Sequence, residues 1–237
     1  MMLIKFASRS RPQQFVRAMG NIRTTTLGPY RIIVSADSDD RTMNNPQIQQ
    51  YVSSSRFPGA KIFYGPSQGK IAAINRDMEH AGEWNILVNF SDDMQFVVRG
   101  WDNLLRRKVQ SVWASSLDWF AHFNDGYVGD KLPTMSIMGR DYYQRDGHIY
   151  HHSYKSFSCD AEAMYVAMAR GRHHYFRDIL FKHQHPANDP RKIKSDTLYR
   201  ANAQLGRPDA ANYFERLNNN FYLDIPGPHV WDKYKTI

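Results

Sequence analysis

The chain has 237 residues, 42% hydrophobic and 14% aromatic, enough apolar material for the core of one ordinary to large domain. That composition excludes a disordered tail, a repeat array or a small disulfide scaffold. Thirty-one basic residues against 23 acidic ones leave a net charge of +8, a field that favours polyanions, acidic substrates or nucleotide phosphates without naming one. The single cysteine, Cys159, excludes an intramolecular disulfide and a multi-cysteine zinc site and fits a reducing compartment. No apolar run approaches the ~20 residues of a spanning helix, and MMLIKFASRSRPQQF reaches its charges too early for a signal peptide. A soluble, cytoplasmic protein is expected.

Short apolar runs alternate with helix-like stretches, which predicts an α/β sandwich. Strands are predicted at Leu3–Ala7, Arg31–Ala36, Lys61–Tyr64 and Asn85–Phe90, each running into Ser, Gly or Asp where a loop begins. Helices are predicted at Pro12–Asn21, Pro46–Ser53, Lys70–Ala81 and Gly100–Lys108. After a turn-rich stretch, Phe123–Pro133, the segment Thr134–Arg140 re-enters the sheet, Ala161–Arg170 forms a helix stopped by Gly171, and His174–His183 forms another strand. Beyond Pro186 the pattern turns helical. Ser195 caps one helix ending at Gly206, and Pro208 sits in the first turn of another running toward Asn218. Residues 1–186 therefore form the main domain and 187–237 a helical appendage packed on it.

Ligands of such folds bind beyond the carboxyl ends of the strands, so the residues following each run carry the chemistry. SADSDD (35–40) places acids where they can accept hydrogen bonds from a base or ribose, or simply form a turn. In NFSDDM (89–94) adjacent carboxylates repel each other, and a divalent cation on a diphosphate would remove the repulsion; a solvated turn is the alternative. GPSQGKIAAIN (65–75) is one residue short of a P-loop and has Ile71 where Ser or Thr should hold magnesium, yet Lys70 at a helix start can meet a phosphate. CDAEAM (159–164) puts Asp160 and Glu162 at a helix entrance as cap and first-turn acids, or as a catalytic base. FKHQHP (181–186) places His183 and His185 on one side of an extended strand, as metal ligands or as surface residues.

Taken in order, FASRSRP after the first strand, SADSDD, GPSQGKIAAIN, NFSDDM with GWDNLL, CDAEAM and FKHQHP resemble the GT-A nucleotide-sugar glycosyltransferases. The likeness is to their inverting, family 2-like members of small bacterial or viral type, and it covers Leu3 to Pro186. It implies a single GT-A, Rossmann-like α/β sandwich with a short C-terminal helical appendage. It further implies a hexosyltransferase-type enzyme that moves a sugar from a nucleotide-diphosphate donor, foremost a UDP-sugar, to an acceptor hydroxyl with inversion. Carried over by position, Ser8, Arg11, Asp37, Lys70, Asn75 and Asp92 bind the donor. Asp93 with His183 or His185 binds Mn2+ or Mg2+, and Asp160 is the base. Ser91 replaces the usual first acid of the DxD motif, and Cys159 stands where many members have Glu.

Two other readings remain open at this point. A nucleotidyltransferase shares the outline but wants a glycine-rich first loop, which FASRSRPQQF lacks. A non-catalytic nucleic-acid-binding module is motivated by the charge and by Arg9, Arg11, Arg17, Arg23 and Arg31 in a stretch without a carboxylate. The acceptor is accordingly a glycan or a hydroxylated DNA base. Trp113, Trp119, Phe120 and Tyr127 could stack on either, and core packing is their bland role.

Overall fold

Strand β1 (Met2–Ser8) is buried along nearly its whole length, so both faces of the sheet it belongs to must be covered. In the computed structural model, which describes residues 1–191 and 193–225, β1 pairs in parallel with β2 (Tyr30–Asp37) on one side and β4 (Ile86–Phe90) on the other. β3 (Lys61–Gly65) extends the sheet beyond β2. The full order is β3-β2-β1-β4-β7-β6-β8, with β7 (Ile137–Gly139) antiparallel to both β4 and β6 (Phe120–Asn124), and β8 (His173–Ile179) parallel to β6. The sheet is a mixed one within an α/β fold, as expected.

Alternation along the strands divides the core in two. Met2, Ile4 and Phe6 face α1 (Pro12–Thr25), α2 (Pro46–Val52) and α4 (Trp101–Trp113), packing with Phe15, Met19, Ile48, Trp101 and Leu105. Leu3, Ile33 and Leu87 face the other way, toward α3 (Lys70–Asn75), α5 (Arg140–Asp146) and α6 (Cys159–Ala169). Cys159 is buried in this second layer, where desolvation pushes its thiol well up, so it is packing material. Trp119 and Phe120 are core residues, Trp113 stacks on Trp119, and Tyr127 is exposed.

Several predicted elements differ from the structure. The helix expected over Lys70–Ala81 stops at Asn75: Asp77 takes left-handed backbone (φ 66°) and a 3-10 turn follows at Met78–His80. Asn75 and Arg76 end it, because Asn75 binds the 149–150 backbone and Arg76 turns to the carbonyls of Ala36 and Pro66. The strand expected over His174–His183 is two strands in different sheets. β8 pairs with β6, while β9 (Phe181–His183) pairs antiparallel with β5 (Met94–Phe96), Met94 opposite His183. β6 begins before the stretch read as turns, and α5 follows β7 directly where no helix was expected.

In the C-terminal segment Asp196, not Ser195, caps α7 (Thr197–Ala203), accepting from the Tyr199 N–H at 2.9 Å. α8 (Gly206–Asn218) carries Pro208 in its first turn as expected, and Tyr213 and Leu217 pack against Met164, Tyr165 and Val166 of α6. The remainder of the expected appendage, 226–237, lies outside the described residues. Among those described, no helix is long and apolar enough to cross a membrane.

Candidate active site

The loops after β1, β2 and β4 meet through ion pairs. Ser8 donates from Oγ to Asp92 at 2.7 Å. Arg11, just before α1, reaches Asp92 at 3.0 Å and Asp196 at 2.8 and 3.0 Å, and lies 3.8 Å from Asp93. Asp37, the last residue of β2, accepts from Arg9 at 2.7 Å and from Arg76 at 3.2 Å, while Arg9 also holds Asp39 at 2.7 Å. Asp40 accepts from the Ser10 N–H at 2.6 Å and from Thr42. The SADSDD turn thus clamps the FASRSR loop by charge complementarity. Gly65 makes room for this, since a Cβ there would lie 3.1 Å from the Arg76 guanidinium.

The neighbouring acids Asp92 and Asp93 leave only 6% and 14% of their side chains exposed. Burial, then the charge of Asp93, pushes Asp92 up to about 6, against the pull of Arg11 and Ser8. Asp93 suffers the same burial penalty, but His183, the Ser91 hydroxyl and the charge of Lys70 outweigh it and hold this carboxyl well below the usual range. The pair therefore shares its burden unequally, and Asp93 keeps the negative charge. Ser91, the departure from DxD, donates to Asp93 instead of supplying a second acid. The Tyr199 hydroxyl of α7 donates to the other oxygen of Asp93 at 2.8 Å, and the Arg11 guanidinium stacks 3.9 Å above the Tyr199 ring.

Because β9 pairs with β5, His183 returns to the acidic turn, its Nε2 3.4 Å from Asp93 Oδ2. His185 does not share that position: β9 ends at His183, and His185 sits in the following turn, edge-on to Tyr199 at 4.8 Å. Spacing along one strand therefore does not hold for this pair. The structure distinguishes the two histidines, placing only His183 against Asp93.

Asp160 lies in the first turn of α6, after Ser158 in left-handed backbone, so it is a first-turn acid and not the cap. Its Oδ1 accepts from the Ala161 N–H at 3.0 Å. Burial raises its pKa above the ordinary value, although the charges of Lys70 and His183 both pull it down. Of these residues Asp93 and His183 are in contact, while Lys70 acts through its charge on both Asp93 and Asp160. Glu162 belongs elsewhere: it is buried in a bidentate pair with Arg216 (2.8 and 2.8 Å) and accepts from the Tyr154 hydroxyl at 2.6 Å.

Asn75, expected to bind the donor, holds the loop after α5: its amide donates to the Tyr150 carbonyl at 2.6 Å and its oxygen accepts from the N–H groups of Ile149 and Tyr150. The basic N-terminal stretch is likewise partly spent, Arg9 and Arg11 on acids of the site and Arg31 on the Ala81 carbonyl. Sequence reasoning missed Arg9 and Arg76 as partners of Asp37, and Tyr199 and Asp196 as parts of the acidic cluster. The first could have been read from oppositely charged loops following adjacent strands; nothing in TLYR marks Tyr199.

Among the described residues no three His, Cys, Asp or Glu side chains converge to hold a metal ion. Within this site Asp93 and His183 offer a carboxylate oxygen and an imidazole nitrogen side by side, a donor set that suits Mn2+ and, through its oxygen, Mg2+. A cation there would need the donor diphosphate or water for its remaining positions. The residues present fit such an ion as two ligands of an incomplete set. A cavity of about 390 Å3 adjoins them, lined by Arg11, Arg17, Asp92, Asp93, Lys194 and Tyr199 among others.

The sequence matches no protein-family model and no curated protein. Solved structures do resemble it. A mannosyltransferase from Pyrobaculum calidifontis in complex with GDP-Man and Mn2+ superposes with a TM-score of 0.70 at 12% identity, covering 98% of this chain and 67% of its own. TarS of S. aureus superposes with a TM-score of 0.60 at 11% identity, covering 95% of this chain and 46% of its own. TarS 1-349 in complex with UDP-GlcNAc gives 0.56 at 11% identity over 76% of this chain and 57% of its own. The chain thus spans between about half and two thirds of these proteins, and the likeness at such identity is one of fold: a GT-A sandwich of the kind found in nucleotide-sugar glycosyltransferases.

Proposed function

We propose that this chain is a nucleotide-sugar glycosyltransferase whose base is Asp160 and whose donor diphosphate lies against Asp93, His183 and Lys70. The observation that carries the reading is the 3.4 Å approach of His183 to Asp93 beyond the end of β4, made by the pairing of β9 with β5, with Lys70 at the start of α3 and Asp160 at the start of α6 near enough for charge to act between them. The fold supports it, because open α/β sheets bind ligands beyond the carboxyl ends of their strands, and two solved structures of similar fold are complexes with GDP-Man and UDP-GlcNAc. A cation bound by Asp93 and His183 would neutralise charge on the leaving diphosphate.

The remaining chemistry belongs to the chain. Lys70 adds positive charge beside the diphosphate, reinforced by the first N–H groups of α3. Ser8 and Arg11 hold Asp92 so that its charge is compensated on the donor side. Asp37, fixed by Arg9 and Arg76, presents an acid to the nucleoside. Asp160 takes the proton from the acceptor hydroxyl as that oxygen attacks the anomeric carbon and the bond to the diphosphate breaks. Its raised pKa makes it a stronger base than an exposed Asp. One displacement, with no nucleophile of the protein involved, inverts the configuration.

For the acceptor we favour a glycan over a hydroxylated DNA base, because Arg9 and Arg11 are engaged by the site's own acids. The test incubates the chain with GDP- and UDP-sugars, with and without Mn2+, and offers a glycan panel beside plain and hydroxymethylated duplexes. Mn2+-dependent sugar incorporation into a glycan is expected. Incorporation into duplex only, with affinity falling log-linearly with salt, would identify DNA as the acceptor. Transfer of a nucleotidyl group with release of pyrophosphate would replace the reading by a nucleotidyltransferase.

A further inference from the structure

Helix α8 holds the segment that leads into Asp160 along one face. Asp209, Asn212 and Arg216 stand at i, i+3 and i+7, so their side chains share a stripe. Asp209 is 2% exposed and accepts the backbone N–H groups of three consecutive residues, Lys155 at 2.9 Å and Ser156 and Phe157 at 2.7 Å. Asn212 donates to the Ser153 hydroxyl at 2.9 Å, which in turn meets His151 Nδ1 at 2.9 Å. Arg216 makes the bidentate pair with Glu162, one helical turn from the chain entry into α6, and Glu162 also receives the Tyr154 hydroxyl. Residues 153–162, with Asp160 among them, are thus gripped at both ends by a helix from the C-terminal segment.

The grip is too costly to be incidental. A buried carboxylate that lost these three N–H groups would be left without compensation, and so would the three donors. The same loop lines a cavity of about 430 Å3 with Gln68, Ala72, His152, Tyr154 and Lys155, between the start of α3 and the approach to α6. We propose that Asp209, supported by Asn212 and Arg216, is a positioning residue: it shapes the 151–157 loop as the acceptor side of the site and fixes where Asp160 meets the acceptor hydroxyl. The inference rests on the glycosyltransferase reading and adds to it that the C-terminal helix sets acceptor use and leaves donor binding alone.

The experiment compares wild type with Asp209→Ala and the milder Asp209→Asn, which retains one acceptor oxygen for the loop. Transfer kcat, acceptor KM, nucleotide affinity and backbone hydrogen exchange are measured on the same samples. The expected result is a fall in acceptor kcat/KM of about tenfold to a hundredfold for Asp209→Ala, partly restored in Asp209→Asn, with nucleotide affinity within about twofold of wild type. Faster exchange should be confined to residues 153–162. Unchanged transfer in a folded Asp209→Ala, or equal loss of transfer and nucleotide binding in both variants, overturns the proposal. If Asp209→Ala does not fold, Asp209→Asn decides on the same criteria. Failure of the wild-type chain to bind any nucleotide would instead sink the underlying reading, which the variants cannot mimic.

Discussion

At the scale of single residues the site is a problem in charge partition. Two adjacent buried acids cannot both stay ionised cheaply, and the surroundings divide them: Asp92 is pushed up to about 6, while Asp93 is held down by His183, Ser91 and Lys70 against its burial. Asp93→Asn keeps the shape and the Tyr199 contact but removes the charge that a cation needs. Mn2+ affinity in the presence of nucleotide should fall by about tenfold or more, and thermal stability should fall at neutral pH, because the interactions with His183, Ser91 and Lys70 that hold the carboxylate ionised are lost. Retained Mn2+ dependence would move the metal elsewhere. The acids themselves were readable from SDD and CDAEAM. Their partners were not, because the bond between Asp93 and His183 exists only through the register that sets Met94 against His183, a pairing across about ninety residues that no local pattern records.

At the scale of elements, what was legible follows from burial. β1, β2 and β4 are covered on both faces, so they read as unbroken apolar runs, and their predicted limits lie within a residue or two of the real ones. β5 has three residues and is defined by its distant partner, and α5, RDYYQRD, buries only Tyr142, so neither leaves a clear period in the sequence. α3 was overextended because IAAIN followed by RDMEHA has no Gly or Pro to break a helix before Gly82, whereas the side chains of Asn75 and Arg76 find tertiary partners and the backbone turns at Asp77. Gly139 shows the same tertiary control at the junction of β7 and α5. A Cβ there would lie 2.1 Å from the Leu117 carbonyl oxygen, so Gly139→Ala must displace backbone and should cost about 3 kcal/mol, read as a lower denaturation midpoint. A neutral effect would show that this junction is looser than described.

At the scale of the whole molecule the far side of the sheet carries a second titrating feature. His122 is fully buried on β6, its Nδ1 3.0 Å from His173 Nε2 on β8, and burial lowers the two imidazoles to about 4 and about 3 from 6.5. A base whose folded pKa is depressed supports the fold while it stays neutral. Its contribution is complete above 6.5 and is lost as pH falls from 6.5 toward 4, because the unfolded chain takes the proton first. For His122 this amounts to about 2 kcal/mol between pH 7 and pH 5. His122→Asn, which keeps a polar atom for His173, should therefore lose less stability over that interval than wild type in denaturant titrations; parallel losses would show that the pair is not what senses acid.

In the proposed reaction Asp160 takes the acceptor's proton in a site that binds its donor through other residues. The most direct measurement is transfer rate and nucleotide-sugar affinity on one sample of Asp160→Asn, whose amide preserves size and can still accept from the Ala161 N–H but cannot take up a proton. Transfer should fall by at least about a hundredfold, with donor affinity within about twofold of wild type. Transfer at a near-normal rate, with donor still bound, would contradict the assignment.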